Sequence, residues 1–415
     1  MAQIRFNQPG RPIQWNAVAL LAFSGLAFMM AAGLAALYGV QGILMLVQDQ
    51  AVRATPLLIT ASGTVARLLM LVPAAYYALA RITGLRPRHL PTEAVPSWSI
   101  AALWGGALAA GVLTVRANFD APFLIPILSA VVSVLPIWLI LRVALRGLDV
   151  GSDLRRWGTL SLGMTAGPLL ISILEVVLFL AIALAAGIYL VATPGLRETV
   201  QQLAARLANA SNEQAQLNLL LPYLLSPRVV FLVILSVCVL TPIVEEALKP
   251  IAVWLGAGMI TSPAQGFALG ALCGAGFALF ENLAAAATGG MDWTLVVTLR
   301  IGTAIMHIAN AGLMGWALVG AWRERRLLRL AIVYAGAILV HGLWNFLALA
   351  YGMSSLPTAL GMAAEELSLS APYALPAMVL LASIMFAALI VMNRRLQLAP
   401  YTQLAVETPQ ARGPD

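Results

Sequence analysis

The amino-acid sequence contains ten apolar runs that are each long enough to cross a lipid bilayer as a helix. The hydrocarbon core is about 30 Å thick, so a spanning helix needs about 20 mostly apolar residues. Backbone polar groups in hydrocarbon must be satisfied internally, so the runs predict an all-α, polytopic membrane helix bundle with about ten transmembrane helices. The runs lie at residues 17–47, 56–80, 97–115, 122–145, 158–192, 229–258, 264–289, 295–321, 328–351 and 373–393.

Composition supports the membrane assignment and narrows the class of partners. Hydrophobic residues make up 61% of the chain and charged residues 10%, whereas soluble proteins carry about 25% charged residues. The net charge of +7 comes from arginines dispersed through short loops, which indicates contact with anionic lipid. We therefore expect the lipid bilayer as a partner and no nucleic acid. Cys238 and Cys273 both lie in apolar runs, so a disulfide framework is not expected.

The distribution of arginines predicts how the chain is oriented. Cytoplasmic loops of membrane proteins carry an excess of Lys and Arg. With the N-terminus in the cytoplasm, 16 arginines fall in cytoplasmic segments and 5 in extracytoplasmic ones, so both termini are predicted to be cytoplasmic. The cytoplasmic set is Arg5, Arg11, Arg81, Arg86, Arg88, Arg142, Arg146, Arg155, Arg156, Arg323, Arg325, Arg326, Arg329, Arg394, Arg395 and Arg412.

Residues 193–227 differ from the spans because Leu and Ala at helical spacing alternate there with Arg, Glu and Gln. We predict one or two amphipathic helices on the extracytoplasmic surface, which either connect two halves of the chain or gate a site. The chain then divides into a five-helix membrane region of unknown role, this connector, a membrane core rich in polar groups, and a last transmembrane helix with a cytoplasmic tail. The four parts are residues 1–192, 193–227, 228–351 and 352–415.

Ionisable side chains concentrate in the sixth to ninth spans. An ionisable group in hydrocarbon is costly, so its presence indicates a functional site that faces the protein interior. Away from their ends, the first five spans contain only Arg67 and Glu175, for which we expect structural partners, and the third histidine, His89, lies in a loop. The polar residues of spans six to nine are Glu245, Glu246, Lys249, Glu281, Asn282, Arg300, His307, Asn310, His341 and Asn345.

Helical spacing predicts which of these side chains share a face. His341 and Asn345 are four residues apart, and His307 and Asn310 are three apart, so each pair lies on one side of its helix. Arg300 lies two turns before His307 on the same side. These two helices each direct an imidazole and an amide at what we interpret as one centre.

The sixth span has a different pattern. Glu245 and Lys249 are four residues apart and are expected to pair. Glu245 and Glu246 are adjacent, hence about 100° apart around the helix, so we expect them to have different roles. Thr241 and Pro242 precede them, and a proline within a helix should loosen it and free backbone groups near the glutamates.

Three kinds of chemistry are compatible with this set of side chains. Glutamate, histidine and an amide can hold a zinc-type ion that keeps a position open for water. The same groups can work without metal, with a glutamate as general base on water while histidine and asparagine polarise a scissile carbonyl. Buried glutamate and histidine also form proton relays in transporters.

Four motifs resemble those of PrsW-type intramembrane proteases, which are relatives of the CAAX prenyl proteases. The resemblance covers residues 227–351, and it rests on EEALK at 245–249, FEN at 280–282, the mid-span His307 and HGLWN at 341–345. It departs from the family at Ala285, where relatives often carry an aromatic residue one turn after the second-motif glutamate.

The resemblance implies hydrolysis of a peptide bond in, or at the edge of, a bacterial cell (inner) membrane. It makes residues 228–351 the catalytic core, with one of the paired glutamates activating water and with membrane-anchored proteins, such as anti-sigma factors, as substrates. The implied catalytic residues are Glu245, Glu246, Glu281, His307, His341 and Asn345, supported by Lys249, Asn282, Arg300 and Asn310. If one divalent metal such as zinc is used, its ligands would come from Glu246, Glu281, His307 and His341.

Two other functions are compatible with the sequence. A proton- or ion-coupled transporter would also use many spans and buried Glu and His, although no inverted repeat is detectable. A catalytically idle relative that serves as a scaffold is the other alternative, and it would tolerate alanine at all of these positions.

Overall fold

A computed structural model describes residues 14–88, 95–117, 121–288, 292–359 and 371–407. The secondary structure of these residues is helical, without a strand, which confirms the predicted all-α class. His89 and the terminal arginines Arg5, Arg11 and Arg412 lie outside the described residues. The helices are α1 (Trp15–Val47), α2 (Ala51–Thr83), α3 (Ser97–Arg116), α4 (Leu124–Leu145), α5 (Asp153–Met164), α6 (Ala166–Ala192), α7 (Pro194–Ala208), α8 (Glu213–Leu224), α9 (Pro227–Leu235), α10 (Thr241–Leu248), α11 (Ile251–Leu255), α12 (Pro263–Ala285), α13 (Trp293–Glu324), α14 (Leu327–Ala359) and α15 (Ala371–Glu407).

Ten candidate membrane spans are found in the described part of the chain, each overlapping one of the predicted apolar runs. The fifth span joins α5 to α6, and the sixth runs from α9 to α11 with a break in its middle. The chain is thus a multi-pass integral membrane protein, as predicted. The cytoplasmic location of its ends stays a prediction.

The segment that follows the fifth span forms two helices, α7 and α8, as the amphipathic pattern predicted. The side chain of Asn212 caps α8 by accepting a hydrogen bond from the backbone N–H of Ala215 at 2.8 Å, which explains why the chain breaks between the two helices. No residue of α7 is buried within the chain. A location on the outer surface and a gating role stay predictions.

The chain divides into two compact units that do not follow its order. Unit 1 comprises Met1–Pro168, Lys249–Tyr334 and Met378–Asp415, and unit 2 comprises Leu169–Leu248 and Ala335–Ala377. The boundary between Leu248 and Lys249 separates EEAL from the lysine of the same motif. The four-part division predicted from the sequence stays a prediction.

Glycines allow the central helices of unit 1 to pack at very close range. In α12, a Cβ added at Gly266, Gly270 or Gly274 would collide with the backbone oxygen of a residue in α13. These glycines are spaced four residues apart, so they form one stripe along the helix, the small-residue contact typical of membrane helices. Both α12 and α13 are largely buried within the chain. His307 of α13 and Asn282 of α12 are both buried in this closely packed region.

Arg67, which lies in the middle of the second span, has the structural partner predicted for it. Its guanidinium donates to the backbone oxygen of Phe280 at 2.8 Å and lies 4.8 Å from the centroid of that residue's ring. The contact ties α2 to α12 within unit 1.

Candidate active site

A chain of three ionisable side chains lies in unit 1. The Nζ atom of Lys249 lies 2.8 Å from Nδ1 of His307, and Nε2 of His307 lies 2.8 Å from Oε2 of Glu281. A lysine ammonium has only donors, so Nδ1 must accept and the proton of a neutral imidazole is on Nε2. His307 then donates that proton to the carboxylate of Glu281. The Lys249 contact thus fixes the histidine tautomer.

The carboxylate of Glu281 has a second cationic partner. Nη2 of Arg300 donates to Oε2 of Glu281 at 2.7 Å, and Nε of the same guanidinium donates to Oδ1 of Asn282, also at 2.7 Å. The amide of Asn282 donates in turn to the backbone oxygen of Arg300 at 3.1 Å. Arg300 and His307 therefore share one face of α13, as their spacing predicted, and Asn282 orients the guanidinium.

Packing holds this network in place. Lys249 is only 1% exposed, and its ammonium lies 4.8 Å from the centroid of the Phe277 ring, a cation–π contact. The same ring meets His307 edge to face, with centroids 5.1 Å apart. Gly274 lets α12 approach the backbone oxygen of His307. Sequence analysis did not single out Phe277 or Gly274, although the spacing of the glycines in α12 was visible.

A second cluster, in unit 2, places one imidazole next to two carboxylates. Nδ1 of His341 lies 2.8 Å from Oε1 of Glu246, and Nε2 of His341 lies 3.9 Å from Oε2 of Glu245. Glu246 is 0% exposed and Glu245 6% exposed. The two glutamates thus face different nitrogens of one ring, as expected from the 100° between adjacent helical positions. Glu246 makes a direct hydrogen bond, whereas Glu245 lies beyond hydrogen-bond distance.

A π-helical turn precedes the glutamates. It spans Ser236–Leu240, and the backbone N–H of Thr241 bonds to the oxygen of Ser236. In this register the next donor would be residue 242, bonding to Val237, but Pro242 has no N–H. The amide of Asn345 supplies the missing donor, with Nδ2 2.9 Å from the oxygen of Val237. The predicted loosening of the helix at Pro242 is confirmed.

A glycine brings the last motif close to this turn. A Cβ added at Gly342 would collide with the backbone oxygen of Cys238, so only glycine permits the observed approach of α14 to the π-helical turn. His341, Gly342 and Asn345 therefore act together, since the glycine sets the distance at which the two polar side chains make their contacts. Sequence analysis did not identify the role of Gly342.

The remaining predicted residue is Asn310, which lies in α13 of unit 1 and is buried. The structure brings together Lys249, Glu281, Asn282, Arg300 and His307 in unit 1. It brings together Glu245, Glu246 and His341 in unit 2, where Asn345 contacts the π-helical turn. The predicted pairing of Lys249 with Glu245 stays a prediction.

The described side chains do not form a metal site within either unit. In unit 1 both nitrogens of His307 are engaged in hydrogen bonds, and two cations, Lys249 and Arg300, lie within hydrogen-bond distance of the groups that would bind the ion. A divalent ion would have to displace these two cations, or it would be destabilised by electrostatic repulsion from them. In unit 2 the Nδ1 atom of His341 is engaged with Glu246. Among the described residues, no group of three or more His, Cys, Asp or Glu has the arrangement of a metal site.

Comparison with protein-family models shows that the model of the PrsW family intramembrane metalloprotease matches residues 176–383. The match covers half of the 415-residue chain, and it includes all four motifs on which the resemblance was based. Neither the curated proteins nor the solved structures gave a significant match. The chain belongs to the PrsW family of intramembrane metalloproteases.

Proposed function

We propose that this protein hydrolyses a peptide bond of membrane-anchored protein substrates with a water molecule activated by Glu245 and His341. Family membership makes the chain a protease and favours this function over transport. The observation that carries the mechanism is the position of His341, whose two ring nitrogens face two different glutamates. Regulatory proteins with a single span, of the anti-sigma-factor kind, are the substrate class we would test first.

Glu246 is assigned the role of orienting the imidazole. Its ionised carboxylate accepts the Nδ1 proton of His341 at 2.8 Å, which leaves the Nε2 lone pair directed away from it. Because Glu246 is fully buried, we place it behind the histidine and not at the substrate. In this assignment Glu246 has the same role as the buried carboxylate of a hydrolytic triad, which holds the catalytic histidine in the correct tautomer and orientation.

Glu245 is assigned the role of general base. Its Oε2 atom and Nε2 of His341 are 3.9 Å apart, too far for a direct hydrogen bond but close enough for both atoms to contact one water molecule. Glu245 takes a proton from this water molecule, and at the same time the oxygen of the water attacks the scissile carbonyl carbon. When the C–N bond breaks, the proton passes to the leaving amine, so that one water is consumed and a carboxylic acid and an amine are formed.

We also propose that the ionisable network in unit 1 is required for cleavage. Lys249, His307, Glu281 and Arg300 bring ionisable groups into membrane spans at a cost that packing alone does not explain. The matched family region includes all four residues. Loss of activity without loss of folding in a His307→Gln variant would support the role, and full activity in that variant would refute it.

The family description supports a metal cofactor in general. The sequence suggested zinc on Glu246, Glu281, His307 and His341. In unit 1, however, both nitrogens of His307 and Oε2 of Glu281 are engaged in hydrogen bonds, and in unit 2 Oε1 of Glu246 is engaged with Nδ1 of His341. We therefore propose a mechanism in which the glutamates and His341 act without a metal. Metal content, measured on the same samples as activity, decides between the two possibilities.

The test is proteolysis of a panel of single-span membrane proteins reconstituted with the purified protein in lipid nanodiscs. Wild type should release fragments, Glu245→Gln and His341→Ala should release almost none, and Glu246→Gln should release fewer than wild type. Glu324→Gln is the matched control, since it removes a partly exposed carboxylate outside both clusters, which pairs with Arg326 and Arg329. Equal cleavage by wild type and by Glu245→Gln would refute the proposed base. Activity that disappears with bound metal on chelation and returns with it would refute the metal-free mechanism.

A further inference from the structure

We propose that a cavity in unit 1 binds the phosphate-bearing headgroup of an anionic phospholipid. The cavity has a volume of about 480 Å³, within the range of small-molecule sites. It lies where α4 ends and α5 begins, and its polar lining consists of the side chains of Arg142, Arg146 and Arg156. This site lies outside both ionisable clusters and does not depend on the proposed proteolytic mechanism.

The residues that line the cavity carry positive charge, which favours an anionic ligand. Among the described residues that line it there are three arginines and no Asp or Glu. The Nε atom of Arg156 is buried, with no hydrogen-bond partner among the described residues, and a buried donor left in that state is costly. Guanidinium groups match phosphate oxygens in geometry as well as in charge. A phosphate in the cavity would compensate the repulsion between the arginines and satisfy Arg156.

The backbone at the mouth of the cavity is held in a defined conformation. Gly147 has φ of +68°, in the left-handed region that favours glycine. The carbonyl oxygen of Arg146 accepts a hydrogen bond from Nδ2 of Asn393 at 2.9 Å, which fastens the turn to α15. Nη1 of Arg142 donates to the oxygen of Val95 at 2.5 Å. The turn that carries Arg146 and the guanidinium of Arg142 are thus both held by contacts outside the cavity lining.

The apolar part of the lining indicates an amphiphile and not a free anion. Trp138 and Trp157 stack with ring centroids 5.9 Å apart and an interplanar angle of 29°, and Leu141 and Leu160 extend the same wall. Tryptophan is enriched where membrane helices meet the headgroup region. The arginine distribution predicts that this end of α4 lies on the cytoplasmic side, where basic pockets between membrane helices bind anionic headgroups.

The test compares two double variants of the full-length protein in nanodiscs that contain phosphatidylglycerol and phosphatidylcholine. Arg146→Gln/Arg156→Gln removes two cavity arginines, and Arg81→Gln/Arg86→Gln removes two exposed arginines of the same predicted side. Phosphatidylglycerol retained by the protein is counted by native mass spectrometry. Each arginine near a headgroup contributes about fivefold to affinity, so the cavity variant should bind this lipid roughly 20-fold more weakly, whereas the control should bind it like wild type.

Two further measurements distinguish a lipid headgroup from free phosphate and distinguish loss of lipid binding from misfolding of a variant. Wild type should gain thermal stability from phosphatidylglycerol and not from inorganic phosphate, and Arg156→Lys, which keeps the charge, should retain most of the lipid preference. Equal loss of lipid in the two double variants would overturn the site. Equal stabilisation by inorganic phosphate would overturn the lipid assignment, and so would an Arg156→Lys protein that is folded but shows no preference for the anionic lipid.

Discussion

The two ionisable clusters solve the problem of placing charge in a membrane protein in different ways. In unit 1, Glu281 lies between a guanidinium and an imidazole, and Lys249 fixes the other side of that imidazole. The helices that carry Glu281 and His307 are uninterrupted and pack through glycines. In unit 2, His341 lies next to two glutamates that follow a π-helical turn. The first arrangement balances charge within a rigid frame, whereas the second leaves a carboxylate and a ring nitrogen facing each other for proton transfer.

This difference predicts that variants of the two clusters will fail in different ways. Changes in unit 1 should lower stability as well as activity, because they leave buried charges without partners. Changes at Glu245 should act chiefly on the rate of cleavage. The following predictions are ordered by the size of the expected effect.

Lys249→Met should give the largest loss of stability. The variant removes the donor to Nδ1 of His307 and one buried cation near Glu281, and breaking a buried ionic network costs about 3–5 kcal/mol. Equilibrium unfolding in mixed micelles measures the change. Arg326→Gln provides the contrast, because Arg326 forms an exposed pair with Glu324 and such pairs contribute at most about 1 kcal/mol. Similar losses in both variants would contradict a tightly held network in unit 1.

Gly342→Ala should be the next most damaging change, at about 1–3 kcal/mol. Its added methyl group would collide with the oxygen of Cys238, so α14 would have to move away and carry His341 with it. Gly336→Ala is the matched control in the same helix, since no atom lies within 4 Å of the added Cβ. The control should gain about 0.5–1 kcal/mol from reduced backbone entropy. Thermal unfolding and cleavage rate together measure both effects, and a Gly342→Ala protein as stable and active as Gly336→Ala would refute the close contact.

Asn345→Ala should cost about 1 kcal/mol, the net contribution of one hydrogen bond. The specific prediction concerns Pro242, because Pro242→Ala restores a backbone N–H that can bond to the helix and replace the Asn345 amide. In a double-mutant cycle, the stability lost through Asn345→Ala should therefore shrink towards zero when residue 242 is alanine. An unchanged loss in that background would show that Asn345 does not compensate for the proline.

Much of the architecture could be predicted from the sequence, because long apolar runs have few alternatives in a bilayer. Local geometry was also accessible, as at Pro242, where a missing N–H forces a change of register. The contact of Arg300 and His307 with Glu281 could not be predicted from helical spacing alone. Spacing places Arg300 and His307 on one face of a helix but does not specify which helix packs against that face. That helix is α12, and its close approach depends on Gly274, whose spacing from Gly270 was not used.

The contact of Lys249 with His307 and the positions of the two glutamates around His341 were beyond sequence analysis. Spacing predicted a pair between Lys249 and Glu245, which stays a prediction, but it did not indicate the contact with His307, because that contact depends on how α13 packs. Likewise, 100° between Glu245 and Glu246 predicts different environments without saying which glutamate is closer to His341. These contacts are made between helices distant in sequence, so they follow from tertiary packing.

The measurement that tests the central claim most directly is the cleavage rate of one substrate by Glu245→Gln, Glu246→Gln and the double variant. General base catalysis contributes about 10²–10⁴-fold, so Glu245→Gln should lose at least about a hundredfold. Glu246→Gln should lose less, because it disturbs only the orientation of His341. Residues that act as a unit are not additive, so the double variant should be no slower than Glu245→Gln. Wild-type rates in Glu245→Gln, or a double variant slower by the product of the two single losses, would contradict the assignment of Glu245 and Glu246 to one histidine.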